Sequence, residues 1–215
     1  MIISRGRSYI FVHIPKTGGT SMALALEGRA MKDDIMLGDT PKARNRRRRI
    51  KVQASSGRLW KHSTLADIDG LVSADEIAGM FTFTMVRNPW DRMVSYYHWL
   101  REQTFDHPAV RLAKSLPFER FLSDPTSQEG QRSWPAARYM TDVTGTERSS
   151  AYIRLEHFKT DAAPLFDHLG FELALPHENQ SSRFESYQSY YTPKLRDIVA
   201  ACCAADIARF GYQFE

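Results

Sequence analysis

Phe11-Val12-His13-Ile14-Pro15-Lys16-Thr17-Gly18-Gly19-Thr20-Ser21 is the stretch on which the reading of this chain turns. Residues 8–14 make a short apolar run with aromatic and β-branched members, the pattern of a buried strand. Ser21-Met22-Ala23-Leu24-Ala25-Leu26-Glu27 has the composition of a helix. Strand, tight glycine turn and helix in succession open an α/β nucleotide-binding unit. Gly18 and Gly19 can take backbone angles that a Cβ forbids, so successive amides can converge on one anion. The helix start adds unpaired N–H groups and the positive end of its dipole. Lys16 brings a mobile positive charge, and Thr17, Thr20 and Ser21 bring hydroxyl donors. The stretch suits a phosphate or a sulfate.

It does not suit a standard ATP or GTP loop. That motif, G-x-x-x-x-G-K-[ST], places lysine after the second glycine and uses the next hydroxyl to hold Mg²⁺. Here Lys16 precedes both glycines. The clearest strand of the chain, Met80-Phe81-Thr82-Phe83-Thr84-Met85-Val86, holds no aspartate to clamp a metal and runs into Arg87 instead. Arg87-Asn88-Pro89-Trp90-Asp91 is a helix start: Asn88 suits the cap, Pro89 the first turn and Asp91 the positive dipole end. Arg87 would stand at the carboxyl end of a strand, where open α/β sheets bind ligands. Ser95 follows about two turns into the helix. An arginine fork with a hydroxyl can read a dianionic phosphate. The plain alternative is an Arg87–Asp91 ion pair beside a surface serine.

Taken together, residues 11–21 resemble the 5′-phosphosulfate loop of sulfotransferases that use 3′-phosphoadenosine 5′-phosphosulfate (PAPS). Thr84 through Ser95 resembles their 3′-phosphate motif. The K-T-G-G-T-S loop and the R-N-P-x-x-R-x-x-S helix start are most similar to the carbohydrate (heparan/chondroitin-like) branch. The resemblance implies a P-loop-like α/β domain and PAPS as co-substrate, with adenosine 3′,5′-bisphosphate as product and no metal required. It also implies nucleotide contacts from Lys16, Thr17, Gly18, Gly19, Thr20, Ser21, Arg87 and Ser95, with Lys16 stabilising the leaving group. Among the seven histidines, His62 in Trp60-Lys61-His62-Ser63-Thr64 resembles the base that the family carries between its two motifs. A capping or core histidine is the rival reading, and His98 is a second choice on the Ser95 helix. Ser182 and Arg183, after Asn179, would close over the nucleotide by the same resemblance; a solvated loop fits them equally well.

The rest of the chain reads as one α/β domain, residues 1–215, with a central parallel sheet flanked by helices. Further elements are expected near Arg58–His62 (strand end), from Thr64 (helix), at 108–123 (short helices), at 152–155 (strand), and at 160–169 and 193–209 (helices). A formal charge of +4 mildly favours an anionic partner. Adjacent Cys202 and Cys203 give neither a disulfide framework nor a zinc site and are expected in or near the core. With no leader pattern and no apolar run of about 18 residues, a cytoplasmic location is the default. The run Arg44-Asn45-Arg46-Arg47-Arg48-Arg49 lacks interleaved aromatics, and no nucleic-acid partner is expected. It reads as a solvated loop, or as a basic loop steering an acidic glycan or meeting a membrane surface. The acceptor expected is a hydroxyl on a glycan or glycolipid. A non-catalytic anion- or nucleic-acid-binding module and a P-loop kinase are the competing classes.

Overall fold

The computed structural model describes residues 1–46, 55–176 and 186–215. In chain order the elements begin β1 (Ile2–Ser4), β2 (Tyr9–Val12), α1 (Gly19–Glu27), β3 (Ile35–Met36), α2 (Pro41–Arg46), α3 (Ala74–Ala78) and β4 (Phe81–Val86). Next come α4 (Pro89–Glu102), α5 (Pro108–Ser115), α6 (Phe118–Ser123), α7 (Pro125–Arg132), α8 (Ala136–Tyr139) and β5 (Ala151–Arg154). The chain closes with α9 (Phe158–Asp161), α10 (Ala163–Leu169), α11 (Pro193–Cys202) and α12 (Ala204–Phe210). It divides into two compact units, Met1–Val86 with Ala136–Asn179, and Arg87–Pro135 with Gln180–Glu215.

The first unit holds a mixed sheet of order β3-β1-β2-β4-β5. β2, β4 and β5 run parallel, while β1 is antiparallel to both β2 and β3. The parallel centre is the sheet expected from sequence; the antiparallel edge is an addition. β1 is only three residues long, too short for a periodic signal, yet Ile2 and Ile3 are fully buried. Tyr9 through Val12 are at most 1% exposed, so β2 is covered on both faces, which explains why it reads as a continuous apolar run. Phe11, Phe83, Met22, Leu26, Ile153 and Leu165 share its core. Each such side chain contributes about 1.5–3 kcal/mol on burial, so this cluster holds the sheet and α1 together. The Thr84 hydroxyl, wholly buried, donates to the carbonyl of Val12 at 2.8 Å and ties the ends of β4 and β2.

Two expectations in this unit change. Arg58–His62 is a turn rather than a strand end. Trp60 N and the carbonyls of Arg58 and Trp60 meet the buried Ser63 hydroxyl, and Lys61 O accepts from the Met1 amino group. No helix begins at Thr64: Leu65 and Ala66 donate their amides to Tyr139 and Thr141, and Gly70 adopts φ 86°. The helix waits for Ser73, whose hydroxyl accepts from Glu76 N and caps α3. Between α1 and the turn at 58–62, β3 and α2 form. The α2 residue Arg46 is tied to the carbonyls of Met31 and Asp34. Arg47, Arg48 and Arg49 lie outside the described residues.

The second unit is helical. Asn88 caps α4 by accepting from Trp90 N at 3.1 Å, and its amide donates to the carbonyl of Gln213 at 2.9 Å. Trp90 is 4% exposed, and its indole N–H donates to Arg196 O. It is a core aromatic, whereas Trp134 is 39% exposed. The expected C-terminal helix is two, α11 and α12, divided at Cys203. Cys202 is buried and Cys203 half-buried. No described helix is long and apolar enough to cross a membrane.

Candidate active site

The loop after β2 turns through left-handed backbone twice, at Lys16 (φ 65°) and Gly18 (φ 84°). Alternation of this kind points successive amides toward one concavity. For a lysine that conformation costs roughly 1–2 kcal/mol, a strain with no signal in the residue pattern. Gly18 is the N-cap of α1 and offers no side-chain cap to the helix's first amides. A Cβ at Gly18 would also sit 2.8 Å from Leu155 Cδ1. Gly19 serves differently: a Cβ there would collide with the His13 ring. One glycine supplies the angle and the other the close approach.

Thr17 corrects the expectation that its hydroxyl faces the anion. It is 1% exposed, and its Oγ1–H donates to Ile14 O at 2.9 Å, so the hydroxyl is committed to the shape of the loop. Thr20 is half-exposed and Ser21 is buried, both in the first turn of α1.

His13 joins this loop to His62. The residue is 7% exposed, and its ring stacks on Phe11 at 5.9 Å and meets His62 edge-on at 4.7 Å. Its carbonyl lies 2.7 Å from His62 Nδ1. A carbonyl only accepts, so Nδ1 carries the proton and the lone pair of neutral His62 is on Nε2. Burial, with Lys61 nearby, pushes the His62 imidazole down to about 3, against the raising effect of its bond to His13. Burial also drives His13 well below the ordinary histidine range, with His62 adding to it. Both rings are neutral near pH 7. The sequence showed His62 as a candidate; the part played by His13 O, a main-chain atom, left no trace there.

The second motif begins the second unit. Arg87 follows directly on Val86, and its Nε and NH2 both meet Asp91 Oδ2 at 2.6 Å, with about 15% of either side chain exposed. That pair accounts for two of the five guanidinium N–H groups. Ser95 is 5% exposed on α4 and is not a surface residue. His98 lies between the Tyr97 and Tyr190 rings, each 5.4 Å away. Ser182 and Arg183 lie outside the described residues. Among the described residues no group of three or more His, Cys, Asp or Glu side chains could hold a metal ion.

The pattern of the family described as Sulfotransferase family matches residues 1–213. The chain belongs to the sulfotransferase family. A solved structure similar to this sulfotransferase is that of mouse sulfotransferase SULT7A1 complexed with PAP, at 14% identity and a TM-score of 0.46. That similarity covers 94% of this chain and 84% of that one. No curated protein matches the sulfotransferase in sequence.

Proposed function

We propose that this sulfotransferase takes its sulfuryl group from PAPS and passes it to a sugar hydroxyl, with Lys16 and His62 as its catalytic residues. One observation carries the reading: His13 packs its ring against Gly19 of the anion loop and orients His62 with its carbonyl, so cradle and base rest on the one residue that follows β2.

The two left-handed turns and the start of α1 gather amides around the 5′-phosphosulfate, and Thr20 and Lys16 complete the cradle. The acceptor oxygen forms its bond to sulfur as the bond from sulfur to the 5′-phosphate oxygen breaks. Charge grows on that leaving oxygen, and Lys16 stabilises it where it grows. His62 Nε2 takes the proton released by the acceptor hydroxyl. Its depressed basicity in the ligand-free protein keeps it neutral, and the negative charge of a bound donor shifts it back upward. Arg87, oriented by Asp91, and Ser95 take the 3′-phosphate. A sulfuryl group carries less charge than a phosphoryl group, so cationic side chains and amides serve where a kinase uses Mg²⁺.

Steady-state transfer from labelled PAPS tests the two roles. Asn at position 62 can still donate to His13 O but has no basic nitrogen. His62→Asn is therefore expected to keep the fold and lower kcat by about 10²–10⁴-fold. Lys16→Ala is expected to lower kcat by about 10²–10³-fold. Near-normal kcat in His62→Asn would make His62 a structural residue and leave the base unassigned.

A further inference from the structure

We infer that Trp60 and Arg58 form the acceptor subsite, a platform for a pyranose ring bearing an acidic group; this rests on the reading of His62 as the base. An isolated exposed apolar side chain means little. Here three observations coincide on one turn. Trp60 is 40% exposed, and its ring stands edge-on to His62 with centroids 5.0 Å apart and planes at 87°. The Arg58 guanidinium lies over the same indole, 4.9 Å from its centroid. The turn is fixed from beneath by Ser63, which has no exposure: its hydroxyl accepts from Trp60 N at 2.9 Å. Its hydrogen is shared between Arg58 O (2.8 Å) and Trp60 O (2.9 Å).

A fully buried hydroxyl is thus devoted to holding an exposed indole beside the base. Core formation does not explain that arrangement, because the indole is not in the core. Ligand binding does. The apolar C–H face of a sugar ring packs on an indole, while the hydroxyls at its rim stay available to a neighbouring base. An arginine already stacked on that indole has lost much of its freedom. Its planar fork matches a carboxylate or sulfate at the ring's edge. A neutral planar acceptor, such as a phenol, would use the indole but leave the guanidinium without a partner.

Titration calorimetry and labelled transfer, each with an unsulfated chondroitin tetrasaccharide and with maltotetraose, test the subsite. Trp60→Ala is expected to weaken tetrasaccharide binding and raise its KM about tenfold or more, while Trp60→Phe stays within about threefold of wild type. Arg58→Ala is expected to weaken the acidic tetrasaccharide about tenfold and leave maltotetraose within about twofold. The KM for PAPS and the thermal shift given by adenosine 3′,5′-bisphosphate should hold in all three variants, which also verifies folding. Trp60→Ala binding within twofold of wild type overturns the platform. So does a wild-type enzyme that sulfates 4-nitrophenol and binds neither sugar. Failure of the donor reading looks different: adenosine 3′,5′-bisphosphate then gives no shift, whatever the sugars do.

Discussion

His62 donates its Nδ1–H to His13 O inside a buried setting that lowers its basicity, and that has a consequence for acid stability. The imidazole's pKa is near 3 in the folded protein and about 6.5 when unfolded. Between those values the unfolded chain binds a proton that the folded chain refuses, so stability rises with pH across the window. The contribution is complete above about pH 6.5 and is lost as the pH falls toward 3. His13, lowered for the same reason, adds in the same direction. Urea midpoints measured from pH 7 to pH 5 are therefore expected to fall in the wild type and to fall less steeply in His62→Asn. An unchanged slope would mean that the ring titrates normally and is open to water. At this scale the sequence was informative about residue types and silent about main-chain partners. Lys16 could be picked out by chemistry and His62 by its place between the two motifs of the resembled family, whereas the His13 carbonyl, the committed Thr17 hydroxyl and the Trp60 turn depend on folding.

At the scale of elements, the two glycines of the loop separate two kinds of strain. Gly18→Ala places a side chain at φ 84° and against Leu155. Gly19→Ala drives a methyl group into His13. Each is expected to lower stability by about 1 kcal/mol or more. Gly19→Ala should also disturb His62, so its kcat should fall further than that of Gly18→Ala at equal nucleotide affinity. Equal kcat in the two would separate His13 from the mechanism. Asn88→Ala removes both the cap of α4 and the bond to Gln213 O, and about 1–2 kcal/mol is expected in denaturant unfolding. β2, β4 and α4 were legible because long apolar runs and a cap with proline state themselves locally. β1 and β3 were not, being only three and two residues long, and neither were the turns at 58–72, where Leu65 and Ala66 are held by the distant Tyr139 and Thr141.

For the whole molecule, the 5′-phosphosulfate falls in the proposed reading to the loop with the lysine ahead of its glycines, and the 3′-phosphate to the Arg87–Ser95 motif. The net charge of +4 is modest, so affinity should come from these placed groups more than from a general field. The measurement that tests this directly is thermal unfolding in EDTA with adenosine 3′,5′-bisphosphate, compared with AMP and with ATP plus Mg²⁺. At about 100 times its Kd, adenosine 3′,5′-bisphosphate is expected to raise Tm by roughly 5–10 °C. AMP should do less, and Arg87→Ala should reduce the bisphosphate's effect to that of AMP. Stabilisation by ATP with Mg²⁺ in place of the bisphosphate would contradict the account.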